Sequence, residues 1–458
     1  MPKNHSNSLA SEGFGLTTSV FVVFASMVGV GILTTSGFTV ATVGSHQWAW
    51  LLWVIGGILA ICGALSQAEL IARNPSSGGD YVILSNAFGP LLGFVSGWVS
   101  VILGFAGPIA ASAKASASYF LSSFQDSSES PSSLSVSLIA TGLVISLSWM
   151  HSHSHHRSGL TQNSATIIKI GMLLALMLAG LAVGLSQSRI PRDWPAKIDR
   201  ELTFQSLTSL IYISYAYTGW NSIGFIAGEV RHPQRNLPIS ILIGTVLVTI
   251  LYLGLNLVYG LALSAPELQQ IAASKGFDSL APIAELSSRR LFGETISGFL
   301  GVTISLMLIA SISAYILTGP RIIYAMANAR QFPSWAGRLT QNQIPVRAIT
   351  IQAMLALVFI WSSSLESIIV VSSIGLALFS MLTISSIFMY RRHTSGPAPG
   401  FLCPLFPVPP LVYLLGTGLL ISVTIWNKPY NGLVSLATIA IGITVYFLFH
   451  RTWTKRNG

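Results

Sequence analysis

The chain of 458 residues is 52% hydrophobic and 8% charged, with a mean hydropathy of +0.67. A water-soluble domain carries about 25% charged residues, so composition excludes a soluble enzyme or a soluble binding module. The formal net charge of +10 needs no nucleic acid partner, because the Lys and Arg residues concentrate in one alternate set of the segments between apolar runs, as in the cytoplasmic loops of a membrane protein.

Runs of about 20 apolar residues cross a bilayer as helix, and they predict twelve spans. These fall at 17–44, 48–72, 90–121, 134–150, 162–186, 205–228, 238–263, 294–326, 347–363, 367–391, 407–426 and 431–450. The expected fold is therefore an all-α integral membrane protein in the lipid bilayer. Placing the N-terminus inside puts most Lys and Arg on the inner side and most acidic residues outside, which predicts a multi-pass protein of the plasma or inner membrane with both termini cytoplasmic. The polar tail 1–16 shows no cleavage-site pattern, so the first span itself is expected to direct insertion.

The first span, FVVFASMVGVGILTTSGFTV at Phe21–Val40, is interrupted by glycine. Val28, Gly29, Val30, Gly31 and Ile32 are expected to leave the helix, since glycine permits the backbone angles and close approach that a break requires. Glu69, Arg73 and Asp80 follow at the inner end of the second span and in its loop. Lys114 lies toward the outer end of the third and is expected to reach the outer surface. A histidine cluster, His151, His153, His155 and His156, follows the fourth span without neighbouring Cys or acidic residues, so no metal site is built on it.

Lys169 stands in the middle of the fifth span, SATIIKIGMLL. An ammonium at that depth is costly and is expected to face the bundle interior with a functional partner. The sixth span, LTSLIYISYAYTGWNSIGFIAG at Leu207–Gly228, breaks around Thr218 and Gly219 and runs into a charged loop with Glu229, Arg231 and Arg235. Glu69, Arg73, Asp80, Glu229, Arg231 and Arg235 are candidates for an intracellular gate of ion pairs. The stretch 264–293 opens on Ser264 and Glu267 at capping-box spacing, which predicts short helices on the outer surface. The two cysteines, Cys62 and Cys403, stand outside any outward loop, so no disulfide-linked partner is expected.

Two interrupted spans half a chain apart point to a transport site at the bilayer midplane. The half-helix that resumes after the first break offers free N–H groups and a partial positive charge to a carboxylate. Carbonyls near Tyr215, Ala216 and Thr218 at the second break offer acceptors to an ammonium group. Donors on one side and acceptors on the other suit the backbone of an α-amino acid.

The motifs resemble the amino acid–polyamine–organocation transporters, and within them the L-type amino acid transporter branch. GVGI at Gly29–Ile32, GALSQAELIARNPSSGGDYVILSNAFGPLLGFVSGW at Gly63–Trp98, YAYTGWN at Tyr215–Asn221, GEVRHPQRNLP at Gly228–Pro238 and TGPRIIYAMA at Thr318–Ala327 carry the resemblance, which covers about residues 17–450. It implies a five-plus-five inverted repeat, 17–186 against 205–391, with broken helices 1 and 6, two appended helices at 407–450 and a cytoplasmic tail at 451–458. It implies that Val28, Gly29, Val30, Gly31 and Ile32 bind the substrate carboxylate and that Tyr215, Ala216, Thr218 and Gly219 line the amino-group side, with Tyr215 as an outer lid and Tyr217 only packing.

Lys169 matches a fifth-span lysine that, in sodium-independent members, places its ammonium where sodium-coupled relatives hold an ion between helices 1 and 8. Four positions depart from the family pattern: Val30 for serine or alanine, Leu33 and Ser36 for Phe and Pro, and Gly228 for a glutamate.

These readings converge on a sodium-independent secondary active transporter of L-amino acids working by alternating access, as proton symporter or amino acid exchanger. With no acidic residue in the candidate pocket spans, neutral substrates are favoured. The alternatives are an antiporter for cationic amino acids or polyamines, and a membrane amino acid sensor that does not transport. No cofactor, no metal and no enzymatic activity are expected, and the resemblance leaves room for a small accessory membrane subunit.

Overall fold

The computed structural model describes residues 15–73, 75, 78–124, 131–153, 158–187, 190–340, 344–393 and 400–454, and among them every regular element is helical. The first expected span is the broken pair α1 (Leu16–Met27) and α2 (Val30–Val43), bent by 42°. The second is α3 (His46–Arg73). A short α4 (Asp80–Phe88) precedes the third span, in which α5 (Pro90–Val99) runs through a π-helical stretch, Ser100–Ala106, into α6 (Gly107–Ser122). The fourth and fifth spans are α7 (Ser133–His153) and α8 (Ser158–Ser186).

The sixth is α9 (Arg200–Ala216), continued after its break as a 3-10 helix, Trp220–Glu229, and the seventh is α10 (Pro233–Ala262). Two connecting helices, α11 (Ala265–Lys275) and α12 (Ile283–Phe292), lead to the eighth span, α13 (Glu294–Thr318) followed by α14 (Pro320–Asn328). The last four are α15 (Val346–Ser362), α16 (Leu365–His393), α17 (Val408–Asn427) and α18 (Pro429–Thr454).

Helix thus lies at each of the twelve expected positions. Among the described residues nine helices are long and apolar enough to cross a membrane, and the bent pair α1–α2 makes ten. The remaining two, α9 and α15, have 17 residues each. For α9 the reason is the break itself, which removes the following residues from the α-helix.

Burial separates centre from periphery. The third span is 78% buried over its apolar window, whereas the windows of α7 and α18 are 28% buried and face outward along most of their length. Large apolar side chains such as Leu178, Phe299 and Leu415 are exposed on the outer faces, as lipid contact requires. The centre is built from small residues. Along α6 the run Ala110–Ala117 is buried throughout, which lets α13 approach closely enough for the Ser116 hydroxyl to lie 2.9 Å from the Ser305 hydroxyl.

One end of the bundle is covered by α11, α12 and the turn between them. Ser264 caps α11 as its spacing predicts, its hydroxyl accepting from Glu267 N–H at 3.4 Å. Glu285 on α12 is fully buried and binds Arg289 at 2.7 Å and the Ser122 hydroxyl. Desolvation raises the Glu285 carboxyl above its usual range, and Ser122 and Arg289 oppose that shift. The Tyr119 hydroxyl donates to Leu33 O at 2.7 Å and accepts from Ala284 N–H at 3.2 Å, tying α12 to α2 and α6.

Lys114 does not reach the surface. It is 6% exposed and donates to Ser363 O at 2.5 Å. The physical reason is a nearer acceptor: Ser363 closes α15, where carbonyls lack intrahelical donors. His151 lies 2.7 Å from Ser313 Oγ on α13 and His153 lies 2.8 Å from Trp149 O on its own helix, while His155 and His156 lie outside the described residues. Among the described residues no group of three or more His, Cys, Asp or Glu is placed to hold a metal, and both cysteines are free thiols.

Candidate substrate site between two broken helices

The two breaks meet in space. An added Cβ at Gly31 would lie 2.5 Å from Ala216 Cα, and one at Gly219 would lie 2.7 Å from Ser26 O. Gly219 also has φ +111°, a conformation that side chains disfavour. Each break therefore uses a glycine to press its backbone against the other. At the first, Val28 is extended and Gly29 stands at φ −145°, ψ −149°, and α2 then starts with no side-chain cap. The N–H groups of its first turn have no intrahelical acceptor.

A cavity of about 270 Å³ opens beside this contact. Gly29, Val30 and Gly31 line it from the first break, and Tyr215, Thr218 and Gly219 from the second. Val28, Ile32 and Ala216, also expected at the site, are buried and do not line the cavity. The Tyr215 hydroxyl is buried without a hydrogen bond among the described residues. Tyr217 packs between Trp53 and Tyr252, at ring separations of 5.7 and 5.2 Å, although part of it reaches the cavity wall.

Tyr252 on α10 is a residue that sequence reasoning missed. Its hydroxyl lies 2.8 Å from Met27 O and 3.0 Å from Ala216 O, so one group serves the carbonyls freed at both breaks. Tyr215 O likewise accepts from the Thr218 hydroxyl at 2.7 Å. Tyr215 O also accepts from Thr218 N–H at 3.1 Å, so both of its lone pairs are engaged within the break. In Tyr252→Phe the two carbonyls lose the single O–H they share, without any change of shape. An unsatisfied buried group costs about 1–3 kcal/mol, so the thermal midpoint of the purified variant should fall by several degrees. An unchanged midpoint would show that the hydroxyl is not holding the breaks together.

Lys169 reaches the same cavity from α8. It is 5% exposed, and its Nζ donates to Ser311 Oγ on α13 at 3.1 Å and approaches Ala25 O on α1 at 3.4 Å. Ala25 is in the last turn of α1, where unpaired carbonyls and the helix dipole favour a cation. No carboxylate pairs with Lys169 among the described residues.

The six charged residues expected near the inner end of the bundle do not gather into one gate here. Glu69 is fully buried and binds Arg73 at 2.7 Å, Arg391 at 2.6 Å and Cys403 N–H at 2.7 Å, a clamp between α3, α16 and the segment before α17. Arg391 was missed because it lies 322 positions from Glu69 in the chain. Glu229, Arg231 and Arg235 are exposed.

Asp80 takes a different course and enters the cavity wall, which corrects the expectation of a pocket without an acidic residue. The turn that sends it there has Gly78 at φ +135° and Gly79 at φ +57°, and Gly79 N–H donates to Gly224 O at 3.2 Å. Asp80 Oδ1 accepts from Gln67 Nε2 at 2.8 Å and Oδ2 from Asn221 Nδ2 at 2.9 Å. Burial raises its carboxyl above the usual range, and the two amide donors oppose that shift.

A bundle of apolar helices enclosing a polar-backbone cavity at two helix breaks defines a multi-pass membrane transport protein. Residues 14–449 match the family model for amino acid permeases, and the chain belongs to that family, within the amino acid–polyamine–organocation superfamily. It is similar to the mouse large neutral amino acids transporter small subunit 2, with 26% identity covering 95% of this chain and 80% of the relative. It is also similar to the mouse b(0,+)-type amino acid transporter 1, with 25% identity over 95% of this chain and 87% of the relative. Against the serine/threonine exchanger SteT of Bacillus subtilis the identity is 25%, covering 96% of this chain and 97% of the relative. These relatives are transporters or exchangers by name, and the chain is a transporter rather than an enzyme.

Proposed function

We propose that the protein is a sodium-independent secondary active transporter of neutral L-amino acids, moving them by alternating access as proton symporter or amino acid exchanger. The observation that carries this reading is the cavity's backbone polarity. The uncapped first turn of α2 offers N–H donors to an α-carboxylate, and the cavity-lining backbone of the second break at Thr218 and Gly219 offers acceptors to an α-ammonium. Lys169 supports sodium independence, because its ammonium already occupies the gap between α1 and α13. The two five-helix repeats, the cell-membrane location and the cytoplasmic termini belong to the same proposal, as does a gate involving the inner charges.

Neutral substrates fit the engagement of both Asp80 oxygens by amides. One observation favours a second reading: Asp80 is nonetheless an acidic group in the cavity wall, and a cationic side chain could displace one amide. Uptake of labelled neutral and cationic amino acids into sodium-free proteoliposomes, with and without an inward proton gradient, separates these cases. Neutral uptake that accumulates with the gradient indicates symport, and uptake that requires internal amino acid indicates exchange. Sodium-dependent uptake, or binding without flux, would overturn the proposal.

A further inference from the structure

The Asp80 carboxylate does more than sit in the wall. It is 7% exposed, fixed at one end by the Gly78–Gly79 turn, and bridges Gln67 on α3 to Asn221 just past the sixth-span break. Both of its oxygens accept from amide N–H groups, Oδ1 from Gln67 and Oδ2 from Asn221. It therefore decides which way the Asn221 amide faces: Nδ2 turns to Asp80, and Oδ1 is left without a hydrogen bond among the described residues on a side chain that lines the cavity. Asn221 is two residues from Gly219, so its Cα lies within about 8 Å of the Cα at the second break, given 3.8 Å between successive Cα atoms. Ser222 and Thr417 line the same cavity.

We infer that Asp80 is a positioning residue for specificity: by holding the Asn221 amide it presents a fixed acceptor to the substrate side chain, and so selects amino acids whose side chain bears a hydrogen-bond donor over isosteric apolar ones. The inference rests on the transporter reading above. A site arranged to hydrogen-bond a substrate hydroxyl rejects the analogue lacking it, because the acceptor is then left unpaired.

Threonine and valine, which have the same shape, are the probes. Competition by each against uptake of a labelled amino acid that wild type transports would be compared for wild type, Asp80→Ala, Asn221→Ala and the double variant. Wild type should prefer threonine by about tenfold or more. The ratio should fall below about threefold in each single variant and go no lower in the double, as two residues acting through one contact require.

Asp80→Asn, which keeps the shape and one acceptor, should retain part of the preference. Equal competition by threonine and valine in wild type would overturn the inference, as would a ratio unchanged in Asp80→Ala or losses that add in the double variant. Substrate-induced thermal shifts in detergent, measured for threonine and valine on the same variants, read the same ratio where a variant transports poorly. Absence of any amino acid uptake by wild type would instead count against the transporter reading, so the two failures are distinguishable.

Discussion

Gly219→Ala should abolish amino acid uptake while Gly142→Ala leaves it unchanged. At Gly219 the backbone has φ +111°, and a Cβ would meet Ser26 O at 2.7 Å, Ser26 C at 2.9 Å and Met27 N at 3.1 Å. All three are backbone atoms in the last turn of α1, so no side chain can rotate away. Holding a non-glycine residue in such a conformation costs about 1–3 kcal/mol, and overpacking adds about 1–3 kcal/mol more. The cheapest relief is separation of the two broken helices, which destroys the donor and acceptor geometry between them.

Gly142 on α7 has nothing within 4 Å of an added Cβ, and replacing a helical glycine by alanine gains up to about 1 kcal/mol. Gly31→Ala should behave like Gly219→Ala, because its Cβ would sit 2.5 Å from Ala216 Cα. Initial uptake rates per folded protein, normalised by size-exclusion recovery, check this. Uptake by Gly219→Ala within twofold of wild type would show that the breaks need not touch.

Lys169→Met should lower uptake to less than about a tenth of wild type. Methionine keeps most of the stem but removes the ammonium that joins Ser311 on α13 to Ala25 on α1. The last turn of α1 then loses a cation at its negative end, worth up to about 2 kcal/mol in a partly buried setting. Carbonyl and hydroxyl lose a donor at a further cost of about 1–3 kcal/mol. The effect reaches the substrate because α1 ends at Met27, one residue before the break. Rates at wild-type level in Lys169→Met would mean that the ammonium neither holds α1 nor takes part in transport.

The twelve helical positions, both breaks and the capped loop helix were legible because each depends on local composition: apolar run length, paired glycines, a Ser–Glu spacing. The depth of Lys169 was legible for the same reason. What sequence did not show is set by folding across long separations. Tyr252 reads as an ordinary residue of an apolar span, and only the bundle brings it to carbonyls on two other helices. Arg391 reads as a charge at a span end, and only packing brings it to Glu69.

Asp80 was expected at an inner gate because its loop follows a span; two left-handed glycines turn that loop back to the cavity instead. Lys114 was expected to reach water because the carbonyl of Ser363, 249 positions away, is invisible in the local sequence. Val28, Ile32 and Ala216 were grouped with the lining because a break was read as a continuous segment. In the folded chain only Val28 and Gly29 leave the helix, Val30 already begins α2, and the buried Val28 and Ile32 flank the three consecutive lining residues Gly29, Val30 and Gly31.

Under the proposed function, the cavity at the two breaks reads both ends of an α-amino acid backbone. The most direct test is competition against uptake of a labelled amino acid in sodium-free proteoliposomes, using one amino acid in free form, as its N-acetyl derivative and as its carboxamide. The free amino acid should compete, and each blocked form should lose at least about tenfold in potency, since each loses one charged contact. Equal competition by either blocked form would contradict the assignment of the corresponding broken helix.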